Sequence, residues 1–228
     1  ANSLCVYGGA MLLTDRLNKI LKIDERNLQV TTEPAVITEA LQNTLQEQGL
    51  FYPVDPSSRG TCYIGGNVAC NSGGPRAVKY GVVKDFVLNL EVVLPNGDVM
   101  WTGANTLKNS TGYNLTQLMV GSEGTLGIVT KIVLKLLPYP KFNNVMLAPF
   151  KSMDDASAAV SAVFRAGIVP SCIEFMERDA ITYVMNFLGD VNIPLADDTT
   201  ATLLIEIDGM DMDSIAKDCE RVYDVLSQ

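Results

Sequence analysis

A glycine-rich stretch, GTCYIGGNVACNSGG at residues 60–74, is the feature that most restricts how this chain can fold. It holds five glycines and two asparagines with hardly a bulky side chain, in a chain of 228 residues that is otherwise rich in aliphatics. Two interpretations follow: the glycines serve tight turns and bulges, or they bring backbone N–H groups close to a flat or anionic ligand. Asn67 and Asn71 favour the second, because an amide side chain both donates and accepts hydrogen bonds.

The overall composition argues against several classes of function. The formal net charge of -9 disfavours nucleic-acid binding, which depends on Lys and Arg at the phosphates. The five cysteines contain no C-x-x-C pair, so we expect neither a disulfide framework nor a zinc site, and a reducing cytoplasm fits best. The chain has no histidine, the commonest general base and metal ligand, so no metal site is predicted. No apolar run approaches the roughly 18 residues of a membrane helix, and the N-terminus lacks the form of a signal peptide.

The first 140 residues have the pattern of an α+β domain dominated by strands. Residues 10–33 predict two short strands with a polar turn between them. Residues 36–49 predict a helix, because their apolar positions recur at helical spacing and a glycine ends the run. Residues 85–103 and 124–138 alternate as strands do, and Asn96-Gly97 marks a hairpin in the first of these segments.

From about residue 141 the pattern changes to alternating strands and helices, in the order β-α-β-α-β-α. The first of these helices is predicted to begin at Ser152 as its N-cap and to end at Gly167. The sequence therefore predicts two domains, residues 1–140 and residues 141–228, with a boundary between Pro138 and Asn144.

The familiar nucleotide-binding signatures do not occur in this sequence. There is no G-x-x-x-x-G-K-[ST], and no G-x-G-x-x-G lies between a strand and a helix, so neither a P-loop nor a Rossmann site is predicted. The segment GSEGTLG at residues 121–127 has glycine at every third position just before an apolar strand, which by itself is weak evidence of a ligand site.

Three stretches taken together resemble the FAD-linked oxidases of the vanillyl-alcohol oxidase superfamily, whose FAD-binding domain is of the PCMH type. They are YPVDPSSRGTCYIGGNVACNSGGPRAVKYG at residues 52–81, NSTGYNLTQLMVGSEGTLGIVT at residues 109–130, and V-P-x-x-I-E-F-M-E-R at residues 169–178. The resemblance is closest to the group that contains the glycolate oxidase flavoprotein subunit, D-lactate dehydrogenases and D-2-hydroxyglutarate dehydrogenases.

The resemblance implies an α+β fold with two incomplete domains. Residues 1–140 would form a PCMH-type FAD-binding domain that lacks its N-terminal subdomain. Residues 141–228 would form part of an α/β, ferredoxin-like cap domain that binds the substrate. Members of this family have further chain at both ends, so we interpret the sequence as the middle portion of a longer enzyme and expect the chain alone to be inactive.

The resemblance also implies a noncovalent FAD site built mainly from main-chain atoms. Attachment through histidine is impossible in this chain, and attachment through Cys70 is not expected. Because some phosphate contacts would be missing, FAD is expected to be weakly held or absent. The cofactor-binding residues that the resemblance implies are Pro53, Asp55, Pro56, Ser57, Gly65, Gly66, Asn67, Asn71, Gly73, Gly74, Gly127, Ile128 and Val129.

Arg76, Lys79 and Tyr80 follow the glycine-rich stretch and are candidate catalytic residues. A cation there would stabilise reduced flavin or hold a substrate carboxylate, for which the guanidinium of arginine is well suited. The alternative is a solvated turn with one packed tyrosine. For Lys108, Tyr113 and Glu123 we expect a structural role.

The function that the resemblance implies is hydride transfer from glycolate or a D-2-hydroxy acid to flavin. The expected partners are a small 2-hydroxy acid and an electron-transfer or iron–sulfur subunit, with no nucleic acid and no membrane insertion. Two alternatives remain open. One is a superfamily member with another substrate, such as a reductase of cell-wall precursors or an ether-lipid synthase, and the other is a noncatalytic α+β binding module.

Overall fold

The structure is a computed structural model that describes residues 7–227, and these residues divide into two units. The first contains the described residues up to Gly74 together with Gly81–Tyr139, and the second contains Pro75–Tyr80 together with the residues from Pro140 onward. Both units combine helices with antiparallel sheet, which confirms the α+β class. The roles assigned to residues 1–140 and 141–228 stay a prediction. Residues 1–6, on which part of the signal-peptide interpretation rests, lie outside the described residues.

The elements follow one another in an order that largely matches the predicted one. In chain order they are β1 (Ile20–Asp24), β2 (Gln29–Thr32), α1 (Thr38–Gln46), β3 (Leu50–Phe51), α2 (Ile64–Cys70), α3 (Ala77–Tyr80), a 3-10 turn (Val83–Asp85), β4 (Val87–Val93), β5 (Val99–Trp101), α4 (Leu115–Met119), β6 (Ile128–Lys135), β7 (Leu137–Pro138), β8 (Phe142–Phe150), α5 (Met153–Arg165), β9 (Cys172–Glu177), α6 (Arg178–Leu188), β10 (Ala201–Gly209) and α7 (Met212–Leu226).

The first unit is built on a five-stranded antiparallel sheet in the order β1-β2-β6-β4-β5. The predicted hairpin is confirmed, since β4 pairs with β5 and Gly97 takes the positive φ of 88° that the turn requires. Leu90, Ile132 and Leu134 are fully buried on the central strands. The loop that precedes β6 is therefore joined directly to a strand of this sheet.

The glycine-rich stretch contains a helix, which the sequence did not predict. Gly is a poor helix former, so local propensity favours turns here. Tertiary contacts outweigh that preference: the N–H groups of Ile64 and Gly65 donate to the carbonyls of Val36 and Pro34, and the side chain of Val68 is fully buried. The helix ends at Asn71, which has a left-handed conformation with φ of 49°.

The second unit is a three-stranded antiparallel sheet in the order β8-β10-β9, with α5 and α7 packed together on it. Leu203, Ile205 and Ile207 of β10 pack against apolar residues of both helices. Because β8 and β9 flank β10 and are joined through α5, the topology is that of the split β-α-β in ferredoxin-like domains. Ser152 caps α5 as predicted, with its Oγ accepting the N–H of Asp155 at 3.1 Å.

No helix of residues 7–227 combines the length and the apolar character needed to cross a membrane.

Tyr52 places a polar group without a hydrogen-bond partner in the core of the first unit. Its side chain is 1% exposed, and its hydroxyl has no hydrogen-bond partner among the described residues. Burial, with a smaller contribution from Cys62, raises the pKa of this phenol well above its usual range. Because an unsatisfied buried polar group costs about 1–3 kcal/mol, Tyr52→Phe should raise the free energy of unfolding by about 1 kcal/mol in urea denaturation.

The matched control is Phe86, whose ring lies edge-on to Tyr52 with centroids 5.8 Å apart. Phe86→Leu removes packing volume at the same place without changing a polar group, so it should lower the free energy of unfolding. A lower free energy of unfolding in Tyr52→Phe would show that the Tyr52 hydroxyl has a hydrogen-bond partner in solution.

Candidate functional site

A cleft of about 910 Å³ lies on the first unit, and four separate parts of the chain line it. They are residues near Met11, Pro34, the segment from Ser58 into α2, and the loop that leads from α4 into β6. The volume lies within the range of roughly 300–1,000 Å³ that is usual for sites of small molecules and cofactors.

The loop at residues 121–127 is held against the end of α2 by backbone hydrogen bonds. A helix leaves its last carbonyl groups without partners inside the helix. Here the N–H of Gly121 donates to the carbonyl of Val68, and the N–H of Glu123 donates to that of Ala69, both at 2.9 Å. The loop reaches them through positive φ angles of 81° at Gly121 and 53° at Glu123. The two glycine-rich segments of the sequence therefore form one continuous wall.

Three glycines of this wall are explained by packing of the chain on itself. A Cβ at Gly65 would lie 2.5 Å from the Cβ of Pro34, and one at Gly127 would lie 2.6 Å from Cγ1 of Val92. A Cβ at Gly74 would overlap the carbonyl group of Asp55. At these positions the chain crosses itself too closely for any side chain, so no ligand is needed to account for them.

Gly66 differs from these three. It lines the cleft, and no described atom outside its own helical turn lies within 4 Å of the place where its Cβ would be. Inside a helix, glycine is less favourable than alanine by about 1 kcal/mol in free energy, so helix formation by itself would favour almost any other residue at this position. A ligand that lies flat against this face of α2 would explain why the position has no side chain.

The two asparagines hold the wall together. Asn67 is 3% exposed and its Nδ2 donates to Oγ1 of Thr38 at 2.6 Å. Oδ1 of Asn71 accepts the N–H of Lys84 at 2.9 Å. These amide groups therefore make contacts within the protein, which the sequence alone could not distinguish from contacts with a ligand. The predicted contact of both residues with a cofactor stays a prediction.

The predicted cofactor-binding residues fall into two groups in the structure. Those that line the cleft are Gly65, Gly66, Asn67, Gly127, Ile128 and Val129. Those that lie outside its lining are Pro53, Asp55, Pro56, Ser57, Asn71, Gly73 and Gly74. The lining also contains residues that the sequence did not single out, among them Ser58, Thr61, Cys62, Tyr63, Met119 and Ser122. Their closeness in sequence to the two glycine-rich segments is a signal that could have found them.

Arg76, Lys79 and Tyr80 belong to the second unit and contact two carboxylates of β10. Lys79 Nζ lies 2.5 Å from Oδ1 of Asp208, and the Tyr80 hydroxyl donates to the same carboxylate at 2.8 Å. Arg76 forms a longer ion pair with Glu206, at 3.4 Å. The side chain of Asp208 is only 1% exposed. The segment is therefore anchored to the sheet, and the alternative of a solvated turn does not describe it.

The pKa of Tyr80 is raised well above its usual range, chiefly by burial and then by the hydrogen bond to Asp208. Its phenol is accordingly protonated at neutral pH and acts as a hydrogen-bond donor. A catalytic role for Arg76, Lys79 and Tyr80 stays a prediction.

The residues expected to be structural lie in different places. Tyr113 is 94% exposed and lines a small cavity of about 150 Å³, whereas Glu123 lines the large cleft. Lys108 lies in the exposed loop between β5 and α4. Within residues 7–227, no group of three or more acidic, cysteine or histidine side chains is arranged to hold a metal ion.

Comparisons with known proteins match both units. Residues 1–103 match a family described as "FAD binding domain", and residues 139–228 match one described as "FAD linked oxidases, C-terminal domain". The chain is 44% identical over 215 residues to the glycolate oxidase subunit GlcD of Bacillus subtilis, which covers 94% of this chain and 45% of that protein. It is 37% identical over 227 residues to a D-lactate dehydrogenase of Anaerostipes hadrus, covering 98% of this chain and 48% of that protein.

A solved structure of alkyldihydroxyacetonephosphate synthase shares the fold. It superimposes with a TM-score of 0.77 at 25% sequence identity, over 93% of this chain and 40% of that one. The chain thus spans about half the length of the curated relatives it matches. This coverage agrees with the interpretation of the sequence as part of a longer flavoprotein.

Proposed function

The chain belongs to the FAD-linked oxidases, and on this basis we propose that it forms the central part of an FAD-dependent oxidoreductase acting on a small 2-hydroxy acid. FAD is the cofactor, because residues 1–103 match the FAD binding domain. The observation that carries the proposal is the cleft between α2 and the loop at residues 121–127, which lies next to Gly66.

The residues of the cleft fit a flavin dinucleotide. The open space beside Gly66 allows an aromatic ring system to lie against the backbone of α2. The lining that the described residues form contains no lysine or arginine, so the compensation of phosphate charge falls to backbone N–H groups and to the hydroxyls of Ser58, Thr61 and Ser122. An acidic chain can bind an anionic cofactor in this way without a basic patch.

Bound flavin supplies the acceptor for a hydride, and the protein supplies binding, orientation and exclusion of water. Met119, Ile128 and Val129 give the cleft apolar surface that would limit the access of water to a bound cofactor. Gly66 would allow the cofactor to approach the backbone of α2 closely. Arg76, Lys79 and Tyr80 remain the candidates for holding a substrate carboxylate, and in the second unit Asp208 and Glu206 hold them in position.

The names of the relatives support the substrate class. They include a glycolate oxidase subunit, a D-lactate dehydrogenase and the D-2-hydroxyglutarate dehydrogenase of Xanthomonas citri, which is 40% identical over 183 residues. We therefore assign glycolate or a D-2-hydroxy acid as the substrate. An electron-transfer or iron–sulfur subunit is the proposed partner, since the first of these relatives is itself named as a subunit. The proposed location is the cytoplasm.

A chimera tests this function with a complete site. In it, the 215 residues of this chain that match the Bacillus subtilis GlcD subunit, at 44% identity, replace the corresponding segment of that subunit. We expect the purified chimera to hold FAD, and anaerobic addition of glycolate or D-lactate to bleach the visible absorbance of oxidised flavin. The L-enantiomer of lactate is the control and should react far more slowly. A chimera that holds FAD but is reduced by no 2-hydroxy acid would contradict the substrate class, and one without FAD would contradict the cofactor site.

A further inference from the structure

Residues 72–83 form a loop, the 72–83 loop, that leaves the first unit and returns to it. Gly74 and Gly81 belong to the first unit, whereas Pro75–Tyr80 between them belong to the second. The two ends of the loop lie together, because the N–H of its last residue donates to the carbonyl of its first at 3.0 Å. Loops whose ends meet in this way are compact and often functional.

The base of the 72–83 loop is attached to the end of α2. Ser72 lines the cleft, and its N–H donates to the carbonyl of Asn67 at 3.0 Å. Asn71, at which the helix ends, accepts a backbone N–H from just beyond the loop through its Oδ1, at 2.9 Å. The next two carbonyls of the helix hold the loop at residues 121–127. Movement of this base would therefore disturb the part of the cleft wall that α2 forms.

The backbone on either side of residues 75–80 has little freedom to move. At Gly74 the place of a Cβ overlaps the carbonyl group of Asp55, so the two backbone segments are in direct contact. Gly81 has a positive φ of 90° and lies against the carboxylate of Asp85. That carboxylate also accepts the N–H of Val82 at 2.8 Å. A displacement at the tip of the loop would therefore be passed on to its base.

The tip of the 72–83 loop is α3, and its attachment to β10 is polar. None of the residues Ala77–Tyr80 is buried. Lys79 Nζ contacts the carboxylate of Asp208 and donates to the backbone carbonyl of the same residue at 2.8 Å, and the Tyr80 hydroxyl donates to that carboxylate at 2.8 Å. Because the side chain of Asp208 is only 1% exposed, water screens these contacts little. A single carboxylate of β10 thus receives hydrogen bonds from two neighbouring residues of the tip.

We propose that Asp208 is a positioning residue for the FAD site. It acts through Lys79 and Tyr80, which fix the tip of the 72–83 loop, and the loop in turn fixes the end of α2. A cleft wall that is already ordered binds its ligand more tightly, because less conformational freedom is lost on binding. Asp208 lies outside the lining of the cleft, so its effect on FAD is indirect. The inference rests on the proposed function, because it takes the cleft beside Gly66 as the site of FAD.

This coupling acts in both directions, because two linked binding equilibria change each other by the same factor. FAD bound at α2 should therefore stabilise the contacts of Asp208 with the tip of the loop. The amides of Lys79 and Tyr80 report on the tip, since both donate to the carbonyl of Arg76. Neither residue lines the cleft, so slower hydrogen exchange at these amides would show coupling and not direct contact with the cofactor.

The test is the FAD affinity of the chimera, measured by fluorescence titration with and without the substitution Asp208→Ala. We expect Asp208→Ala to weaken FAD binding at least about fivefold. Hydrogen exchange at the amides of Lys79 and Tyr80 should slow on FAD binding in the unchanged chimera and not in this variant. Tyr80→Phe removes one hydrogen bond of the same anchor and should weaken FAD binding less. The two substitutions together should weaken it no more than Asp208→Ala by itself, because they interrupt the same contact.

The matched control is Val163→Ala on α5. Val163 is fully buried in the core of the second unit, so this variant also destabilises that unit, by loss of packing. It leaves Asp208, Lys79 and Tyr80 unchanged, and we expect its FAD affinity to equal that of the unchanged chimera. Circular dichroism at the temperature of the titration checks that each variant is folded.

The possible outcomes separate this proposal from the proposed function. If folded Asp208→Ala bound FAD as tightly as the unchanged chimera, the proposal would be overturned while the FAD site would stand. Equal weakening by Asp208→Ala and Val163→Ala would also overturn it, because Asp208 would then act only through the stability of its unit. If Asp208→Ala does not fold, unchanged affinity in Tyr80→Phe overturns the proposal instead. A chimera that holds no FAD would overturn both proposals.

Discussion

Replacing Gly66 with leucine is expected to weaken FAD binding at least about a hundredfold, with little change in the free energy of unfolding. The leucine side chain would enter the cleft, where no described atom outside the helix lies within 4 Å of the new Cβ. Leucine also has a better helix propensity than glycine, so the helix itself should not suffer. Fluorescence titration of FAD into the chimera measures the affinity, and urea denaturation of the 228-residue chain measures the stability.

The adjacent residue provides the control for this prediction. Gly65→Ala should lower the free energy of unfolding by about 1–3 kcal/mol, because the new Cβ overlaps Pro34, which cannot move without its backbone. Comparison of the Gly65→Ala and Gly66→Leu variants thus distinguishes a glycine that packing requires from a glycine that a ligand requires. If Gly66→Leu bound FAD as tightly as the unchanged chimera, the flavin would not lie against this part of α2.

Replacing Asp208 with alanine is expected to lower the free energy of unfolding by about 3 kcal/mol. The carboxylate is 1% exposed and accepts from both Lys79 and Tyr80, so its removal takes a charged acceptor from a partly buried ammonium group and from a partly buried hydroxyl. Lys79 Nζ keeps its hydrogen bond to the backbone carbonyl of residue 208, at 2.8 Å. Urea denaturation followed by far-ultraviolet circular dichroism measures the loss.

Two further variants serve as controls for Asp208. Asp208→Asn keeps an acceptor for the Tyr80 hydroxyl and should cost less. Glu206→Ala should also cost less, because its ion pair with Arg76 is longer, at 3.4 Å, and its side chain is more exposed, at 15%. If Asp208→Ala lowers the free energy of unfolding by less than about 1 kcal/mol, the contact is no stronger than an ordinary surface ion pair. That result would contradict the anchoring of residues 75–80.

Local signals in the sequence predicted much of the fold. The hairpin at Asn96-Gly97 and the N-cap at Ser152 were predicted correctly because each depends on a few neighbouring residues. Helix α2 was missed because its stability comes from contacts with Val36 and Pro34, about thirty residues away in the chain, which outweigh the poor helix propensity of its glycines.

The candidate site was predictable only in part, for the same physical reason. The glycine-rich stretch and the loop at residues 121–127 were both recognised, but their joining through the carbonyls of α2 is a long-range contact. The partners of Lys79 and Tyr80 are more remote still, since Asp208 is almost 130 residues further along the chain. FAD was predicted from the resemblance to a family and not from the spacing of the residues.

The central claim is that the cleft beside Gly66 is the FAD site, and amide chemical shifts recorded during an FAD titration test it most directly. In the 228-residue chain we predict weak but saturable binding of one FAD, with the shift changes concentrated in residues 64–70 and 121–129. Shift changes centred on the smaller cavity around Tyr113 would contradict the claim.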